Sequence, residues 1–121
     1  MNGIRRLLRA EAAAVALAAA LIAWHLGPSW WLFAVALIAP DLSLFARVLD
    51  DRRAALIYNV AHTYLGPALV ACFWLATRSD AAAAVALAWT LHIALDRALG
   101  FGLKDPADVR MTHLGRTGPD R

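Results

Sequence analysis

A single cysteine stands in 121 residues, Cys72, and it lies inside an apolar segment. That scarcity excludes an intrachain disulfide and any zinc site built on thiolates, and the surroundings predict a small apolar packing residue. Charge is scarce where it matters. Asp, Glu, Lys and Arg make up 17% of the chain, gathered at the N-terminus, in short breaks and in the last stretch, with long uncharged segments between. There is no internal repeat and no low-complexity linker, which leaves one domain over residues 1–121. A net charge of +3 and a pI near 9.8 do not indicate nucleic acid. The basic residues flank apolar segments and form no stripe along a soluble element.

Apolar sequence is what the chain has in abundance. Its hydrophobic fraction of 61% and mean hydropathy of +0.56 exceed the roughly 45–50% apolar usage of soluble domains. An integral membrane protein follows. The run from Ala12 to Leu26 is not a cleaved signal peptide, because it continues through Trp24 into Gly27-Pro28 without a small-residue cleavage site, and further spans follow. Breaks at Gly27-Pro28-Ser29, Asp50-Asp51-Arg52-Arg53 and Arg78-Ser79-Asp80 divide the remainder. The pattern predicts an all-α four-helix membrane bundle with spans over 10–26, 30–48, 54–77 and 81–99 and a tail over 100–121, each span matching the roughly 20 residues a bilayer requires. Pro67 is expected to kink the third span, and Asp80 to cap the fourth helix.

Orientation follows from the loops. Arg5, Arg6, Arg9, Arg47, Arg52, Arg53, Lys104, Arg110 and Arg116 fall on one side of a four-span arrangement, and Arg78 stands on the other. The positive-inside rule therefore places both termini in the cytoplasm. Trp24, Trp30, Trp31 and Trp74 gather toward the opposite interface, as an aromatic belt does. The tail is rich in Gly, Pro and charge, and its order depends on docking over the cytoplasmic mouth.

Against this apolar background a few ionisable residues stand out. His92 and Asp96 lie four apart, on one face of the last span, where burying such groups is unfavourable unless they do something. Counting at 1.5 Å per residue from the charged ends puts Asp41, His62, His92 and Asp96 about 12–18 Å deep, so three helices bring ionisable groups to nearly one level. Neutral imidazoles and carboxylates ligate divalent metals, zinc first and iron or manganese as alternatives. Helix bundles build metal sites from inward-projecting side chains in this way. Tyr58 and Asn59 precede His62 by one turn and are candidates to hold its tautomer or to touch a substrate. Glu11 can pair with Arg97 or Arg47, or join the site.

The ordered set Glu11, Pro40-Asp41-Leu42-Ser43, Tyr58-Asn59-x-x-His62, His92-x-x-x-Asp96-Arg97, Gly100-x-Gly102-Leu103-Lys104 and Thr112-His113-Leu114-Gly115 resembles domain-of-unknown-function family 4260, small four-span bacterial membrane proteins. The resemblance implies the bacterial inner membrane and adds His113 as a site or lid residue. A weaker similarity is to inner-membrane metal-dependent hydrolases, in the order Pro-Asp, His-Thr, His-x-x-x-Asp. Tyr58 stands where those proteins carry a further His.

The leading expectation is a metal-dependent enzyme in which Asp41, His62, His92 and Asp96 hold the ion, with Tyr58, Asn59 and His113 as catalytic candidates, acting on a lipid or apolar small molecule from the cytoplasmic leaflet. The same pocket without metal suits an acid/base isomerase or cyclase. A third reading is a non-enzymatic ion- or proton-handling bundle or assembly subunit. Ala-rich faces also permit a homodimer.

Overall fold

The computed structural model describes residues 2–117. Helix α1 spans Asn2–Leu26, α2 Trp30–Ile38, α3 Asp51–Ala61, α4 Leu65–Thr77 and α5 Asp80–Leu99; strands β1, Met111–Thr112, and β2, Gly115–Arg116, follow. A 3-10 helix over Ala39–Val48 continues α2. Four composite helices, Asn2–Leu26, Trp30–Val48, Asp51–Thr77 and Asp80–Leu99, are long and apolar enough to cross a membrane. The protein is an all-α four-helix membrane bundle. The first helix begins earlier than the apolar run, so the turns bearing Arg5, Arg6 and Arg9 extend the helix beyond its membrane-spanning part.

Helix α5 is the axis of the bundle, packed by α1, α2 and α4. Small side chains make this possible. On α1 the buried positions Ala12, Ala16, Ala19 and Ala23 recur at helical spacing and form one stripe. On α5 the buried set includes Ala82, Ala83, Ala84, Ala86, Ala88 and Ala94. Lipid gives helices no hydrophobic drive to associate, so close backbone approach and dispersion must hold them, and alanine allows it. Ala23, Phe33, Ala36, Leu87 and Ala88 form the cluster where α1, α2 and α5 meet.

Two spans are interrupted, and each interruption delivers a ligand. Pro40 has no N–H to donate and its ring crowds the preceding turn, so α2 stops at Ile38 and the chain rewinds as a 3-10 helix carrying Asp41. In the third span the expected kink is a full break. His62, Thr63 and Tyr64 leave the helix, and Pro67 sits in the first turn of α4, where its missing N–H costs nothing. The Ala61 carbonyl accepts a hydrogen bond of 2.6 Å from Trp89 Nε1 beside this break. Gly66 lies against the Trp89 ring, in space that any Cβ would occupy.

Two smaller expectations need correction. Ser79 is the N-cap of α5, its Oγ accepting from the Ala82 N–H at 3.2 Å, and Asp80 instead opens the first turn, where its charge suits the helix dipole. Cys72 is exposed on α4, so it faces outward from the bundle and does not pack inside it. The tail is folded as far as Thr117, while residues 118–121 of the expected tail lie outside the described range. Gly100, at φ 99°, ends α5 in the left-handed conformation. The chain then pairs Lys104 with Thr112 and closes the β1–β2 hairpin, burying Leu114. Arg9 Nε donates to the Ala98 carbonyl at 2.8 Å, tying α1 to the last turn of α5 at the end of the bundle where the tail lies.

Candidate metal centre

Asp41, His62, His92 and Asp96 meet. Each offers one ligand atom, and the four atoms lie within 4.8 Å of one another. His92 Nε2 is 3.1 Å from Asp41 Oδ1 and 3.3 Å from Asp96 Oδ2; His62 Nε2 is 3.6 Å and 3.4 Å from the same two oxygens. The two Nε2 atoms are 3.2 Å apart. Four donors placed about 2.0–2.2 Å from a tetrahedral ion would be separated by about 3.3–3.6 Å along every edge. Of the five measured edges, three lie at 3.3–3.6 Å and the other two, at 3.1 and 3.2 Å, fall just short of that range.

The backbone fixes which nitrogen points inward. His62 Nδ1–H donates to the Tyr58 carbonyl at 2.9 Å, and His92 Nδ1–H donates to the Leu37 carbonyl at 2.6 Å. A carbonyl only accepts, so each Nδ1 carries a proton and each neutral imidazole turns an Nε2 lone pair toward the centre. With both imidazoles neutral, two Nε2 lone pairs and two carboxylates converge on the centre. Such a cluster of Lewis bases is repulsive until a cation sits in it. Hydrogen bonds from Nδ1 to backbone carbonyls are also the support that metal-binding histidines receive.

Each ligand owes its place to a local irregularity or to helical spacing. Asp41 follows Pro40 on the 3-10 helix, and His62 caps the end of α3. His92 and Asp96 share one face of α5 one turn apart. The histidine side chains are buried, 4% and 9% exposed, whereas Asp96 is 25% and Asp41 52% exposed. The carboxylate side of the centre is therefore the open side. It gives onto a cavity of about 650 Å³ lined by Asp41, Asp96 and Tyr58, together with Arg47 and the tail residues Lys104 and Arg110.

Residues 5–117 match the family described as Domain of unknown function (DUF4260). The chain belongs to that family. No curated protein and no solved structure matches it.

The remaining sequence candidates in this DUF4260 protein fall into distinct places. Tyr58 stacks on the His62 ring, with centroids 3.9 Å apart and planes 11° apart, so it fixes the imidazole plane while facing the cavity. Asn59 does not hold the His62 tautomer, which the Tyr58 carbonyl does. Its amide instead clamps the tail, Nδ2 donating to the Lys104 carbonyl and Oδ1 accepting the Lys104 N–H, both at 2.7 Å. Asn59→Ala is expected to remove two hydrogen bonds of about 1 kcal/mol each, raising amide exchange in residues 103–117 roughly thirtyfold while leaving α5 protected. Hydrogen exchange in nanodiscs checks this.

His113 is also a tail fastener. Its Nδ1 accepts the Leu103 N–H at 3.0 Å, and Gly102 has no Cβ to block the approach. Partial burial, and then the charge of Arg97, push its imidazole below the ordinary 6.5. Protonation would remove the acceptor. The folded state thus binds this proton less readily than the unfolded state, so the contribution of this bond is complete above about pH 6.5 and is lost as pH falls through the lower folded value. Leu103 amide protection is expected to fall between pH 7 and pH 5 in the wild type and to lose that dependence in His113→Ala.

Glu11 does not join the centre, and among the described residues it has no Lys or Arg nitrogen within 4.0 Å, so neither expected ion pair forms. Arg97 lies over the Tyr64 ring, 4.5 Å from its centroid. What sequence reasoning missed is the cationic wall of the cavity. Arg47, Lys104 and Arg110 read only as topology signals, because nothing in their spacing says that the tail folds back over the 3-10 helix.

Proposed function

We propose that the protein is a metal-dependent enzyme of the bacterial cytoplasmic membrane, with its centre open toward the cytoplasmic side and a lipid or apolar small molecule as substrate. The supporting observation is the set of four possible ligand atoms, from Asp41, His62, His92 and Asp96, gathered within 4.8 Å of one another. Zinc suits two imidazoles and two carboxylates best, with iron or manganese as alternatives. A bound divalent ion would polarise a substrate oxygen or acidify a bound water.

The chain's own residues supply the remainder. The Tyr58 and Leu37 carbonyls hold the Nδ1 protons of His62 and His92, so both rings turn Nε2 toward the centre. Asp41, half exposed on the cavity side, is the ligand that can shift to admit a substrate atom. Tyr58 keeps the His62 ring parallel to its own and brings a phenol to the cavity wall, within reach of a substrate proton. The folded tail lines one side of the cavity through Thr112 and Thr117.

A second reading keeps the pocket without metal. A single proton on one Nε2 would be held by Asp41 and Asp96 at 3.1–3.6 Å, an acid/base arrangement suited to an isomerase or cyclase. Screening reconstituted protein against lipid esters and phosphoesters, with and without a chelator, separates the two. Turnover abolished by chelation and by His62→Ala supports the metal enzyme; turnover indifferent to chelation but lost in Asp96→Asn supports the acid/base reading.

A further inference from the structure

The cavity outside the centre is walled on its tail side by three cations. Arg47 ends the 3-10 helix, and Lys104 and Arg110 come from the folded tail. Among the described residues, no side-chain nitrogen of the three has a carboxylate oxygen within 4.0 Å, although those of Arg53 and Arg116 do. Asp51 is the one lining carboxylate outside the centre. Apart from Asp41 and Asp96, the lining described therefore holds three positive charges against one negative.

Lys104 is the best placed of the three. The Asn59 clamp fixes its backbone, and its Nζ lies 4.1 Å from the centroid of the Tyr58 ring, which also stacks on the His62 imidazole. The ammonium is thus delivered to the boundary between the centre and the cavity. Burial, and then the charge of Arg47, lower it below its ordinary 10.5, as happens where cations gather without an anion between them. Like charges gathered on one wall repel, and an anion between them relieves that repulsion.

The same cavity has an apolar side. Leu44 and Phe101 line it, and both are among the exposed large side chains of this end of the bundle, 39% and 51% exposed. A ligand held by the cations can leave an acyl or isoprenoid chain between these two residues, against lipid.

We infer that Arg47, Lys104 and Arg110 bind the phosphoryl group of an anionic amphiphile and present it to the Asp/His centre. Arginine forks and a lysine point charge are the donors that phosphate oxygens select. Such an amphiphile is the substrate class of the enzyme proposed above and rests on that reading for its chemistry, but anion binding is measurable without it.

The test uses full-length protein in nanodiscs of phosphatidylcholine, alone or doped with phosphatidic acid, and reads thermal melting and metal content of the same samples. Inorganic phosphate is titrated into the undoped discs against chloride of equal ionic strength. A rise in melting temperature with phosphatidic acid supports a lipid headgroup as the source; a rise with inorganic phosphate supports a free phosphate. In either case Arg47→Gln combined with Arg110→Gln is expected to raise the half-saturating concentration by about tenfold or more, since one charge-assisted hydrogen bond to a phosphate oxygen is worth about that factor. Among the described residues both side chains are exposed and without a carboxylate partner, so the ligand-free melting temperature of the variant should not fall below that of the wild type. No shift with either probe, or an undiminished shift in the variant, overturns the phosphoryl site. A phosphate shift in protein without metal removes the metal reading alone, and metal without a phosphate shift removes this inference alone.

Discussion

Purified protein is expected to carry about one divalent metal ion per chain, and His62→Ala to lose it. Altering an outer partner of a metal ligand costs about 10–100-fold in affinity, so deleting a direct ligand should exceed about a hundredfold. His62 is buried at the heart of the centre, its Nε2 facing Asp41, Asp96 and His92 while its Nδ1 is anchored to the Tyr58 carbonyl. Metal held at a thousandfold above its dissociation constant stabilises the folded state by about 4 kcal/mol, so chelation should lower the wild-type melting temperature and leave His62→Ala unmoved. Asp41→Asn should be milder than Asp96→Asn, because Asp41 is the more exposed carboxylate and water can take its place. Elemental analysis with melting curves before and after chelation checks all three variants. Wild-type protein without stoichiometric metal, melting like His62→Ala, would rule the metal out.

Ala88→Leu should damage the bundle and the centre together. Ala88 is fully buried in the cluster it forms with Ala23, Phe33, Ala36 and Leu87, where α1, α2 and α5 come closest. Overfilling a closed site costs about 1–3 kcal/mol, since neighbouring helices must move apart. The displacement reaches the centre directly. His92 lies one turn beyond Ala88, and its Nδ1 proton is held by Leu37, the neighbour of Ala36 on α2. Separating α2 from α5 would free that imidazole to rotate or change tautomer, and metal content should fall with the melting temperature. Ala20→Leu, on an exposed position of α1, is the control expected to change neither.

Much of this architecture is legible in the sequence. The four spans are readable because apolar runs and their charged breaks are local features, and a bilayer demands about 20 residues whatever the tertiary contacts. His92 and Asp96 are readable as a pair because helical spacing puts residues four apart on one face. Asp41 and His62 join them through depth, which needs only the rise per residue.

Some assignments are out of reach for equally physical reasons. Pro67 reads as a kink from sequence, yet the chain opens completely at His62–Tyr64, because Trp89 on α5 offers a donor to the freed Ala61 carbonyl. Asn59 looks like a partner for His62 by spacing, but the folded tail supplies Lys104 to both ends of its amide. Cys72 reads as buried because an apolar run does not reveal which face meets lipid.

The division follows the range of the forces involved. Sequence by itself determined the membrane class, the four spans, the helical face shared by His92 and Asp96, and the common depth of the four polar residues, since these depend on hydropathy, periodicity and rise. Tertiary structure alone decided that the two Nε2 atoms and two carboxylates meet within 4.8 Å of one another, that the Tyr58 and Leu37 carbonyls set the tautomers, and that the tail brings Lys104 and Arg110 to the cavity that Arg47 lines. Those outcomes depend on how two proline-interrupted spans pack around α5 and on where a hairpin docks, and neither is encoded in any one segment.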